Sequence, residues 1–577
     1  MTNLLADYSV PAEAKRVFEN GILHNPLVQR YLPAEAAEAA KHITFEGSDK
    51  PSLPINWRFA ESISALKAYE ATVLNVLLQR KYGVDPVQIK INTDHAQLFI
   101  MSTLVWQMNP DKECFTLASY SDPKVKKAFE KYFPDCDKHN VYNQHYRDSA
   151  TNIYRTKNGS FFHLHGSMNP GPTFKSVGLP PDMNVPTMED SWAPFQEAVG
   201  RLTAKELQHL ATDVHRQAGT ICNTVDEFRE SEHGRANADV GLFTIHSQPN
   251  AKQQPCWWAD APEIGTSVAR PLAGLKVVDL TRIIAAPVIA RGLAELGASV
   301  MRVTAPHITD MSALHPDLNH GKWNASLDLR QEEDRETLRG LIREADVVVQ
   351  GYRPGVLDKY GFSQQNILDL CKDRERGLIY ARENCYGWQG PWMHRSGWQQ
   401  ISDANCGVSY EFGRAMGNNE PVTPVFPNSD YCTGVCGIAA ILTALIQRAE
   451  KGGSYSIDTA LNYYSRWLVD HVGTYSNDVW QDVWKRNGSP VFRHYHNMNY
   501  SIPRVLQAVQ KSSGAILFQP EFFTQYHPKH IGVNMKIVAP VLNFPGGEVK
   551  PGFHVGTRGN GVDRPQWPAD LSVEVVE

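Results

Sequence analysis

No CxxC pair and no Cys/His array of zinc-finger spacing occurs among the nine cysteines, and an odd number scattered over 577 residues does not fit a disulfide framework. Reduced thiols are expected, and with them a reducing, cytoplasmic compartment. Also missing is a long block of one charge sign. The chain sets 57 Lys+Arg against 62 Asp+Glu for a net charge of -5, which provides no phosphate-binding stripe and argues against nucleic acid as a partner. The opening residues MTNLLADYSVPAEAKRVFEN carry early acidic groups without a long apolar core, so no secretory leader is expected, and the closing SVEVVE matches no peroxisomal or ER-retention address. The longest stretch without a charged residue, Tyr431 to Gln447, is near the lower limit for a membrane span, contains Gly434 and Gly437, and reads as a buried helix. No membrane partner is expected.

What is present is length and a regular alternation. A chain of 577 residues predicts two to four compact units, each able to bury its own core, with room for a cleft between them. From residue 271 short strand-like runs alternate with helical ones: LKVVDL, APVIARGLAELG and ASVMRV, then RETLRGLIREA, DVVVQ and GLIYARE. That order predicts βαβ units and an open parallel sheet, an α/β, Rossmann-like domain over 271–577. Residues 236–270 are rich in Pro, Gln, Ala and Trp without sustained periodicity and read as a linker. Residues 1–235 hold helical segments and one clear strand, SFFHLHG, opened by the turn residues Lys157-Asn158-Gly159, and are expected to form smaller α+β and helical elements.

An internal repeat links the two halves. Placing LLQR (77–80) on LIQR (445–448) brings ATVLNV (71–76) onto AAILTA (439–444), each after a Pro-rich turn, and sets Ser62 on Asp430 with Glu61 beside it. His163 and His165 alternate along one strand and share a face; two histidines without further ligands are more often structural than binding. Cys432 and Cys436, one helical turn apart, read as core packing. Asp430 itself precedes an apolar helical run, where by spacing alone an ordinary N-cap is the commoner role.

The segments PLAGLKVVDLTRIIAAPVIARGLAELGASVMRV (271–303), NHGKWNASLDLR (319–330), ADVVVQGYRPGVLDKYGFS (345–363), YGWQGPW (386–392) and NSDYCTGVCGIAAILTALIQR (428–448) stand in the order seen in family III CoA-transferases, which this sequence resembles. The resemblance implies that Asp430 is the covalent nucleophile. Its carboxylate would take the acyl group as a mixed anhydride, then CoA as an aspartyl thioester, and pass CoA to a second carboxylic acid, with no metal and no tightly bound cofactor. CoA, here a substrate, is expected to contact Arg282, Ile283 and Ile284 after the first strand, and Arg353 and Lys359 around the RPG turn. The chain departs from the family at Ile284, Thr304 and Ala305-Pro306, so CoA is expected to be held differently or partly by the first half. The racemase branch of the same fold carries a histidine where this chain has Trp398; His394 lies four residues earlier. The first half resembles the family out of phase, which makes the chain a partly duplicated one, and the resemblance implies a homodimer. A CoA-transferase acting on an acyl-CoA and a small acid is the leading expectation, beside an acyl-CoA racemase or isomerase and a non-catalytic CoA-binding relative.

Overall fold

The runs of Val, Ile and Leu that alternate with helical segments after residue 271 form the sheet the pattern implies. In this computed structural model, which describes residues 8–141 and 144–577, seven strands make the central sheet. They are β1 (Phe243–Gln248), β2 (Lys276–Leu280), β3 (Ser299–Thr304), β4 (Lys322–Ser326), β5 (Val347–Gln350), β6 (Ile379–Asn384) and β7 (Ser454–Ala460), in the order β4-β3-β2-β5-β6-β7-β1. All neighbours are parallel except β7 and β1. Strands buried on both faces need continuous apolar runs, and Val347–Gln350 is buried throughout. The stretch 236–270, expected as a linker, contributes β1 to the sheet edge and is therefore part of the folded body as well as a connection.

Two helices of equal length lie at the centre of the molecule: α1 (Phe59–Tyr82) and, much later, α5 (Asn428–Lys451), packed against each other. Between them in sequence come α2 (Ala285–Glu295), α3 (Glu332–Glu344) and α4 (Gln399–Asn405). The apolar run from Tyr431 is buried along its length within α5. Glycines let α5 meet α2 at close range: a Cβ on Gly434 would stand 2.5 Å from Val288 Cγ1, and one on Gly292 2.1 Å from Ile438 Cδ1. The ungapped repeat places Ser62 opposite Asp430, but the helix starts match one residue earlier. Arg58 and Pro427 share the same entry conformation (φ -79 and -80), so Glu61 and Asp430 are each the third residue of their helices. Glu61 is fully buried, accepting hydrogen bonds from Tyr8 and Tyr475, whereas Asp430 faces a cavity.

The first half is woven into the second. Ile43–Glu46 and Ile89–Asn92 pair in parallel and gain Leu542–Asn543 as a third strand. Gln107–Met108 pairs with Met535–Val538. A separate three-stranded antiparallel sheet of Asn152–Arg155, Phe161–Leu164 and Gly219–Ile221 carries the elements that face the carboxyl ends of the central strands.

Candidate active site

In a parallel sheet the carboxyl ends of the strands open onto loops, and a crevice forms where neighbouring strands send their chains in opposite directions. Here that switch falls between β2 and β5. A cavity of about 400 Å³ lies there, walled by the loops after β2, β3, β5 and β6 and by Leu461 after β7. Its far wall comes from the first half: Ser167, Met168 and Asn169 beyond the Phe161–Leu164 strand, and Gln217 before Gly219.

Of the residues singled out in the sequence, Arg282, Ile283, Ile284, Arg353 and Asp430 all line this cavity. Ile283 holds φ at 75°, a left-handed conformation that a β-branched side chain adopts only at a cost of about 1–3 kcal/mol, and one seen mainly at functional sites. Arg282 donates to the Thr309 carbonyl at 2.6 Å and lies over the Tyr352 ring; Arg353 reaches the Arg216 carbonyl at 3.1 Å, which ties the RPG turn to the first half. Lys359 is not with them. It is exposed in the short 3-10 turn Asp358–Tyr360, against its own neighbour Tyr360.

Asp430 stands in the first turn of α5, partly exposed to the cavity, and its side chain does not cap the helix. Burial, followed by the nearby carboxyls of Glu383 and Asp403, holds its pKa well above the usual carboxylate range. Asp403, on α4, is pushed up to about 7 by burial against the opposing pull of Gln399 and Ser429, both of which donate to it. Glu383, at the end of β6, is only 9% exposed and is pushed up to about 8 by burial alone. Among the described residues no donor and no cation is bonded to the carboxyl of Glu383 or of Asp430. Three interacting carboxyl groups titrate as a set, and carrying three charges together is the costly state. The free amides and dipole of the α5 N-terminus favour the charged form of a first-turn carboxyl and so oppose the rise in pKa at Asp430.

Trp398 lines the cavity too, donating its indole N–H to Ser167 Oγ at 2.9 Å and stacking on His165. His165 is buried behind it, with Nε2 donating to Gln400 at 3.2 Å and Nδ1 accepting from the Ser167 amide at 2.9 Å; burial pushes its pKa down to about 3. His163 is likewise buried and pushed down to about 4, so the pair serves as neutral packing behind the wall. His394 is exposed and outside the lining. Cys432 and Cys436 lie in the core. Among the described residues no cluster of His, Cys, Asp and Glu has the form of a metal site.

The sequence reading missed Glu383, Asp403 and the contribution of Gln217 and residues 167–169. Glu383 had a legible signal, a carboxyl at the end of the buried run GLIYARE, where strand ends of a parallel sheet meet ligands. The contacts across the two halves had none.

Comparison with known proteins gives a consistent result. The model of CoA-transferase family III matches residues 272–500. An acetyl-coenzyme A transferase, nodX, of Hypoxylon pulicicidum is 53% identical over 99% of this chain and 95% of its own length. An acyl-CoA transferase of Gibberella moniliformis is 30% identical over 94% of this chain and 93% of its own. Among solved structures, a CAIB/BAIF family protein from Brucella suis is 31% identical over 35% of this chain and 56% of that one, with a TM-score of 0.31.

Proposed function

The chain belongs to CoA-transferase family III and is a CoA-transferase, and from that premise we propose that Asp430 is its covalent nucleophile. The reaction would run in four exchanges at one carboxyl. The Asp430 carboxylate attacks the thioester carbonyl, the C–S bond breaks, and CoA leaves as thiolate from a mixed anhydride. The thiolate attacks the aspartyl carbonyl, giving aspartyl-CoA and the first acid. A second carboxylate attacks that thioester, re-forming an anhydride and the thiolate. Attack of the thiolate on the new acyl carbonyl yields the new acyl-CoA and restores Asp430.

One observation carries the reading: Asp430 is an unpartnered carboxyl on a helix N-terminus that opens into the same cavity as Arg282 and Arg353. A carboxyl kept for packing would be bonded. First-turn amides can receive the tetrahedral oxyanion, and the two arginines can receive the CoA phosphates. Ile284, Ala285 and Leu461 give the lining an apolar part suited to a short acyl group, and the name of the nodX relative makes acetyl-CoA the donor of choice for a first test. The racemase alternative has no support in the geometry, because Trp398 is engaged with Ser167 and His394 is outside the cavity.

Incubation with acetyl-CoA followed by hydroxylamine should leave a hydroxamate on the peptide containing Asp430, and Asp430→Ala should abolish both the label and transfer. Deuterium from solvent at the α-carbon of an acyl-CoA, with no hydroxamate on the protein, would replace this reading by the racemase.

A further inference from the structure

Glu383 has the features of a working group and none of a structural one. Its neighbours on β6 are accounted for: Arg382, pointing to the opposite face, pairs with Asp458 at 2.6 Å, and the Asn384 side chain bonds the Gly387 amide and carbonyl. Glu383 alone is left nine-tenths buried, unbonded, and turned into the cavity that holds Asp430. Its carboxyl is open to the cavity, where a ligand can reach it.

We propose that Glu383 keeps its proton in the working enzyme and donates it as a hydrogen bond to the carboxylate of the acid that accepts CoA. This rests on the reading of Asp430 as nucleophile. The acceptor must enter as an anion and come within bonding distance of the aspartyl-CoA carbonyl. A second ionised carboxylate beside that carbonyl would repel it, whereas a neutral carboxyl donates a short charge-assisted bond. The same proton removes one of the two charges that disfavour ionisation of Asp430. The ligand class is therefore a carboxylate recognised by a carboxylic acid, and Glu383 is a residue that sets affinity for the acceptor.

The surroundings are consistent with a proton held there. Asp430 on α5 and Asp403 on α4 are the nearby acidic groups, and Cys385, two residues further along the chain, has its thiol pushed up by burial first and by Glu383 second. Arg282, Arg353 and Arg395 line the same cavity, with His139 and His307, but none is bonded to Glu383. Burial pushes the carboxyl up to about 8, so at neutral pH it is mostly protonated and ionises as pH rises past that value. Acceptor binding should weaken on the alkaline side.

The test compares Glu383→Ala and Glu383→Gln in the full chain, with acetyl-CoA as donor and a panel of short carboxylic acids as acceptors. Glu383→Ala should raise KM for the acid about tenfold or more, the worth of a hydrogen bond to a charged group, while leaving KM for acetyl-CoA near wild type. Glu383→Gln, whose amide donates without titrating, should restore KM and extend the alkaline limb of kcat/KM for the acid to higher pH. Unchanged acceptor KM in Glu383→Ala, a Glu383→Gln variant no better than it, or an alkaline limb that persists in Glu383→Gln would each overturn the proposal. Hydroxylamine trapping on Asp430 in the same variants reads the nucleophile separately: label with unchanged acceptor KM ends the Glu383 proposal alone, and no label in wild type ends the Asp430 reading.

Discussion

Replacing Gly434 by Ala sets two opposing effects against each other in a helix that carries the proposed nucleophile. In a helix interior alanine is favoured over glycine by about 1 kcal/mol, which alone would stabilise the protein. The added Cβ, however, would stand 2.5 Å from Val288 Cγ1, 2.6 Å from Val288 Cβ and 3.0 Å from the Ala285 carbonyl oxygen. Rotation of Val288 can remove the first contact but not the second, and the carbonyl is fixed in α2. The helices must part by roughly an ångström, and overpacking of this kind costs about 1–3 kcal/mol. A net loss of up to about 2 kcal/mol is expected, read as a lowered unfolding midpoint. Activity should fall more than stability, because Ala285 lines the cavity and Asp430 lies one turn before Gly434. A displacement near 1 Å at a reacting group costs about a hundredfold in favourable cases, so kcat should drop by at least about tenfold with little change in KM for acyl-CoA. Gly340→Ala on α3, where nothing lies within 4 Å, is the control and should gain up to about 1 kcal/mol. A Gly434→Ala protein as stable and as active as wild type would refute the reasoning.

Two further outcomes follow from the same geometry. Arg353→Ala should weaken acyl-CoA binding, with the loss shrinking as salt is added, whereas Lys359→Ala, altering an exposed cation outside the cavity, should leave affinity unchanged in a titration at low ionic strength. Lys322→Met should destabilise by about 3–5 kcal/mol in thermal or denaturant unfolding, since the fully buried Lys322 ammonium is held 2.9 Å from Asp279 and its loss strands that carboxylate in the core.

The α/β half was legible in the sequence because its signals are local. KVVDL, SVMRV and VVVQ are apolar runs of the kind a doubly covered parallel sheet uses, and their spacing leaves room for the crossover helices. Asp430, Arg282 and Arg353 were legible through motif order, and they do converge on one cavity. Glu383 was passed over because it ends a strand already explained by its apolar residues. Glu61 was passed over because an ungapped match set Ser62 opposite Asp430, while the helix entry at Arg58 shifts the correspondence by one. Lys359 was chosen for its charge and its place after the RPG turn, but the 3-10 turn at Asp358–Tyr360 leaves it at the surface. The wall at Ser167, Asn169 and Gln217 depends on contacts between residues more than a hundred positions apart, and no local pattern records those.

Strand pairing across the whole length of the chain also bears on how the protein is made. Ile91 finds its antiparallel partner at Leu542 and Met108 at Met535, so on the ribosome these amino-terminal strands emerge more than four hundred residues before these particular partners exist. At about 5–20 residues per second that interval is tens of seconds, during which open strand edges stand exposed. Such long-range closure is slow for topological reasons, and newly made chains are most vulnerable to misassembly and chaperone capture until residues 535–543 have been delivered.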